Sequence, residues 1–204
     1  MRRFLFLAFL WLSGVGAAMA VPRTVLVFGD SLSAAFNMPI EQGWVQLLDH
    51  KLAESHAGQW RVVNASVSGE TTAGGLARLP AALASQRPAL VLIALGANDG
   101  LRGLQLPQMR ANLMRMIELS RDGGAKVALI GIELPGNYGQ AYRGRFRQVY
   151  TDLAEQFGIP LLPFLLEGIA EDLSSFQEDQ IHPTAAAQPR IRDHVYTWLA
   201  PQLR

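Results

Sequence analysis

The stretch "VLVFGDSLSA", residues 25–34, passes from four consecutive apolar residues to a polar turn with no transition. A run that is apolar at every position, rather than at every second one, is a strand covered on both faces, and such strands belong to parallel sheets sandwiched by helices. Gly29 breaks the run. Asp30, Ser31 and Ser33 then offer an acid and two hydroxyls where the next element is expected to begin, and the sequence predicts a helix N-terminus there.

The same alternation continues along the chain. Strand-length apolar runs recur at 24–29, 61–66, 89–96, 125–132 and 159–164, and amphipathic stretches near 41–55, 72–85, 107–121, 142–157 and 185–202 separate and follow them. Pro107 opens the third of these helices, Asp122-Gly123-Gly124 closes it, and Gly158 closes the fourth. The βα repeat predicts a single α/β domain over 21–204, a five-stranded parallel sheet with helices on both faces. Ligands of such sheets bind beyond the carboxyl ends of the strands, so the informative residues are those just after each run.

Residues 1–20 read differently. Two arginines, an apolar run from Phe4 to Leu12 and the small-residue ending Ala18-Met19-Ala20 form the pattern of an export signal, with cleavage expected after Ala20. The apolar core is too short to span a bilayer. Without Arg2 and Arg3 the chain carries 16 basic against 17 acidic groups, with no basic stripe, so nucleic acid and anionic membrane surfaces are not expected partners. The chain has no cysteine, hence neither disulfides nor a thiolate metal site, and its histidine spacing gives no metal site either.

Four rim loops hold groups suited to acyl transfer. A serine hydroxyl needs a base, and the base needs a carboxylate that fixes its tautomer. Of the four histidines, His50, His56 and His194 fall in or beside helices; His182 lies in a long polar loop, three residues after Asp179, a spacing at which one turn brings the two side by side. Glu178 is a second candidate carboxylate. Ser31 reads as a nucleophile or as a helix cap, Asp179 as a histidine partner or as a loop cap. Gly69 and Asn98 read as donors to a tetrahedral oxygen or as turn residues. Asp30 and Ser33 are expected to serve the turn and the cap.

"FGDSLS", the Gly69 segment "NASVSGET", "GANDG" and "DQIHP" resemble, in order, the four blocks of the SGNH (GDSL-type) hydrolases, and the likeness runs from about residue 24 to the C-terminus. "GLARLP", "NDGLRG", "LPGNYG", "PLLPF" and "AQP" are most similar to the secreted bacterial members with acyl-CoA thioesterase, lysophospholipase and arylesterase activity. The resemblance implies a three-layer flavodoxin-like fold with strand order 2-1-3-4-5. It implies Ser31 as nucleophile, His182 as general base and acid, and Asp179 as its partner. Ser31 N–H, Gly69 N–H and the Asn98 amide would form the oxyanion hole. Carried to matching positions, the family's acyl groove would be lined by Leu101, Leu104, Leu106, Leu134 and Tyr138. Ala97 departs from the block, which often has glycine there. The expected protein is a periplasmic, monomeric serine esterase and thioesterase of a Gram-negative bacterium, without cofactor, acting on small-molecule or lipid acyl esters. A carbohydrate O-deacetylase using the same machinery and a noncatalytic flavodoxin-like binding module are the alternatives, the latter without a phosphate-cradling loop to support it.

Overall fold

The computed structural model describes residues 21–203; the export signal read in residues 1–20 lies outside them. Five parallel strands, β1 (Arg23–Gly29), β2 (Trp60–Asn64), β3 (Leu90–Ala94), β4 (Lys126–Ile130) and β5 (Leu161–Leu162), form one sheet in the order β2-β1-β3-β4-β5. Six helices connect and follow them: α1 (Trp44–Ser55), α2 (Thr72–Gln86), α3 (Ala97–Leu101), α4 (Leu106–Asp122), α5 (Gln140–Phe157) and α6 (Gln188–Leu199). The fold class, strand order and alternation expected from the sequence are all present. Helices α2, α4 and α5 pack side by side on one face and α1 packs with α6 on the other. Right-handed crossovers require this division, because the chain steps from β1 outward to β2 and then back across β1 to β3.

The central strands read as they do because they have no wet face. Val25 to Phe28 and Val91 to Ile93 are completely buried, and Leu48, Leu79, Leu113 and Phe146 close over them from the helices. Helix α2 sits close enough to the sheet that a side chain at Gly75 would run into Leu95, so glycine is needed there. The Arg78 guanidinium from the same helix lies 4.2 Å over the Phe28 ring and bonds Glu70 at 2.6 Å.

Two local expectations are corrected. No helix begins at Ser31: Ala34 N–H closes a single helical turn onto Asp30 C=O at 3.0 Å, then Ala35 and Asn37 take left-handed φ of +56° and stop it. The first α-helix waits until Trp44. Conversely, the loop after β3 contains the five-residue helix α3, too short to leave a periodic trace in sequence.

Candidate active site

The order of strands reverses at β1 and β3, opening a crevice at their carboxyl ends. Ser31 follows β1, Gly69 lies in the loop after β2, and Asn98 sits on α3 after β3; these three strands are neighbours in the sheet. The segment after β5 returns across the same rim. Phe176 bridges Pro183 antiparallel, Gln188 Oε1 accepts from Trp44 N–H at 2.9 Å, and α6 then packs against α1. That return carries His182 to β1.

The contact is direct. His182 Nε2 lies 2.8 Å from Ser31 Oγ, and Nδ1 lies 2.6 Å from Asp179 Oδ2. The other Asp179 oxygen accepts from the backbone N–H groups of Ile181 and His182 at 2.9 and 3.0 Å. Partial burial pushes the Asp179 carboxyl up, but the His182 and Ile181 N–H bonds and the facing imidazole outweigh it and hold the carboxyl at about 2. A carboxylate is an acceptor only, so Nδ1 carries the ring proton and, in the neutral imidazole, Nε2 accepts from Ser31 O–H. Asp179, not Glu178, is the carboxylate that meets the ring.

Gly69 has φ +77°, and a Cβ there would meet only Arg102 Nη2 at 3.7 Å, an ordinary contact, so conformation rather than crowding calls for glycine there. Asn98 Nδ2 donates to Glu70 C=O at 3.0 Å, which occupies one of its two hydrogens. Arg102, which the sequence reading did not single out, donates from Nη2 to Gly69 C=O at 3.0 Å and approaches Asn98 Oδ1 at 3.5 Å, tying the two loops together. Beneath them runs a buried network. Thr72 donates to Asp99 from N–H at 2.8 Å and from Oγ1 at 2.6 Å, and Asn112 Nδ2 donates to Thr72 Oγ1 at 3.0 Å. It pins α3 to α2 and α4.

Asp30 is buried at 2% exposure, its Oδ1 accepting from Leu32 N–H at 3.0 Å. Burial raises its carboxyl to about 7, against the opposing Leu32 bond and with the Asp99 and Glu70 charges adding to the rise. Ser33 does not cap a helix; its hydroxyl is buried without a side-chain partner among the described residues and packs on Gly29.

Ser31, Asn98 and His182 open onto a cleft of about 850 Å³. Leu101 and Leu134 line it, joined by Ile132 and, from the segment after β5, by Phe164, Leu166 and Phe176. Leu104, Leu106 and Tyr138 do not. Leu104 is exposed, Leu106 begins α4, and Tyr138 turns its hydroxyl to donate to Leu101 C=O at 2.8 Å, bracing α3 from behind. Glu133, Arg143, Glu167 and Glu171 supply the polar part of the wall.

The profile of the GDSL-like Lipase/Acylhydrolase family matches residues 27–189. The chain belongs to that family. It is a serine ester hydrolase, and its relatives agree in length as well as in sequence. Esterase TesA of Pseudomonas aeruginosa (strain PAO1) is 51% identical over 184 residues, 90% of this chain and 91% of the relative. Thioesterase 1/protease 1/lysophospholipase L1 of Escherichia coli (strain K12) is 41% identical, covering 97% and 91%. The crystal structure of the psychrotrophic esterase EstA from Pseudoalteromonas sp., inhibited by monoethylphosphonate, superposes on this acylhydrolase with a TM-score of 0.85 at 40% identity, covering 89% and 98%.

Proposed function

We propose that the enzyme hydrolyses carboxylic esters and acyl thioesters through an acyl-enzyme on Ser31. The observation that carries this is the unbroken line from Asp179 Oδ2 through both ring nitrogens of His182 to Ser31 Oγ, with bonds of 2.6 and 2.8 Å. His182 Nε2 takes the Ser31 proton as Oγ attacks the acyl carbon, and the carbonyl oxygen becomes an oxyanion. Ser31 N–H, Gly69 N–H and the second Asn98 Nδ2 hydrogen are the donors for that charge. The tetrahedral intermediate collapses as His182 returns the proton to the departing alcohol or thiol. Water then repeats the sequence on the acyl-enzyme, giving up its proton to His182 and releasing the carboxylic acid and Ser31 O–H.

The apolar wall of Leu101, Ile132, Leu134, Phe164, Leu166 and Phe176 supports an acyl chain beyond acetyl, and therefore favours esterase and lysophospholipase-type substrates over O-acetyl sugars. The printed names of the relatives, an esterase and a thioesterase/lysophospholipase, point the same way. In this reading residues 1–20 direct export and the enzyme acts outside the inner membrane; the described residues contain no helix long and apolar enough to cross a bilayer.

A serine-directed organophosphate tests the chemistry. The expected result is one adduct, on Ser31, by peptide mass, absent from Ser31→Ala and His182→Ala variants that also hydrolyse short p-nitrophenyl esters at background rates. Labelling of another serine, or substantial turnover in either variant, would overturn the assignment.

A further inference from the structure

Phe36 is 37% exposed on the turn after β1. Its ring lies face to face on the His182 imidazole, with centroids 4.1 Å apart and planes inclined by 26°. The two segments are also stitched together. Gln177 Nε2 donates to Phe36 C=O and Pro183 C=O, both at 3.1 Å, and its Oε1 accepts from Asn37 Nδ2 at 3.3 Å. Gln177 N–H donates to His182 C=O at 2.8 Å. One glutamine therefore links the backbone on the two sides of the stacked pair.

Building on His182 as the general base, we propose that Phe36 is a positioning residue for that imidazole and an electrostatic support for its charged form. The stack closes one face of the ring and restricts its rotation, so that Nδ1 stays on Asp179 while Nε2 stays on Ser31. It also bears on the charge that develops on the ring during the reaction. A phenyl face carries negative quadrupolar density, and a cation above it is held more strongly than a neutral ring. The observed geometry is face to face; an edge-on phenyl would present its positive rim and oppose the charge. When the Ser31 proton arrives at Nε2 the imidazole becomes a cation, so the attraction grows between ground state and transition state. An interaction that strengthens along the reaction coordinate raises kcat and leaves substrate binding alone. Gln177 acts one step further out, by holding the turn on the histidine loop.

Steady-state kinetics on a short p-nitrophenyl ester, with folding checked by circular dichroism and thermal melting, separate these roles. Phe36→Leu keeps an apolar cover but has no π face, whereas Phe36→Tyr keeps the face. The expected result is a loss in kcat of about 3- to 30-fold for Phe36→Leu and Phe36→Ala, the range that cation–π attraction converts to. KM should stay within twofold, and Phe36→Tyr should remain within twofold of the parent. Equal activity of Phe36→Leu and the parent, or a loss confined to KM, overturns the proposal while His182→Ala remains inactive. An active His182→Ala variant would instead remove the base assignment beneath it, and these two failures cannot be mistaken for each other.

Discussion

Asp30 sits one residue before Ser31, the proposed nucleophile, at the buried end of β1, and its protonation should leave a measurable mark on folding. An unfolded chain releases this proton near the ordinary 3.8, the folded chain only near about 7. Between those values the folded chain holds one proton more, so each rise in pH across this window favours unfolding. Above about 7 both states are ionised and the penalty is constant. Three pH units at about 1.4 kcal/mol each set it at about 4 kcal/mol as an upper bound. Asp30→Asn cannot ionise, yet it keeps an oxygen where Leu32 N–H now donates at 3.0 Å. Urea titrations of parent and variant from pH 4 to pH 9 give the difference in unfolding free energy, in which other titrating groups largely cancel. The variant should gain on the parent by up to about 4 kcal/mol between pH 4 and pH 8, then hold level. A difference that stays within about 0.5 kcal/mol across the whole range would refute desolvation of Asp30 as a force in this fold.

Two further outcomes follow from the geometry of the rim. Asn98→Ala should lower kcat on the order of 10²–10³-fold with KM nearly unchanged, the behaviour of a lost oxyanion donor; a change in KM alone would make Asn98 a binding residue. Thr72→Val strips the buried Asp99 of its 2.6 Å hydroxyl donor and Asn112 of an acceptor, and should cost about 1–3 kcal/mol of stability by thermal or urea unfolding. It should also reduce kcat, because α3 carries Asn98.

Much of this was legible in the sequence, and the residues show why. The strands announce themselves because burial on both faces leaves no polar position, so Val25 to Phe28 cannot be read as anything amphipathic. The strand ends then put Ser31, Gly69 and Asn98 on adjacent rim loops without any knowledge of side-chain packing. Asp179 and His182 were legible as a pair because they lie within one turn. What failed was irregular or tertiary. Helix α3 is shorter than one amphipathic period can register, and the turn at Ser31 is ended by positive φ at Ala35, a residue type that gives no warning of it. The cleft wall from Phe164 to Phe176 lies in a segment with no period, and Phe36 meets His182 only because the chain after β5 folds back across the sheet. Tyr138 is a groove residue only by the resemblance to the family; here its hydroxyl donates to Leu101 C=O instead.

Asp179 and Asp30 show how one rim keeps two acids in opposite states. Asp30 is buried with few donors and is held toward its neutral form; Asp179 is 39% exposed, accepts three N–H bonds and stays an anion. The bonding of Asp179 dictates how its replacements fail. One oxygen is occupied by the N–H groups of Ile181 and His182, so in Asp179→Asn the amide oxygen stays on those donors and the NH₂ group takes the place of Oδ2, facing Nδ1 at the distance of a short hydrogen bond. That presents a donor to Nδ1 and favours the tautomer with the proton on Nε2, which cannot accept from Ser31. The expected loss in kcat for Asp179→Asn is on the order of 10³–10⁴. Asp179→Ala removes the anion but leaves a partly exposed position where water accepts from Nδ1–H, so its loss should be smaller, about 10–10². The alanine variant should therefore be the faster of the two. If the asparagine variant is faster, Asp179 acts by holding the 179–182 loop in shape, and the tautomer argument fails.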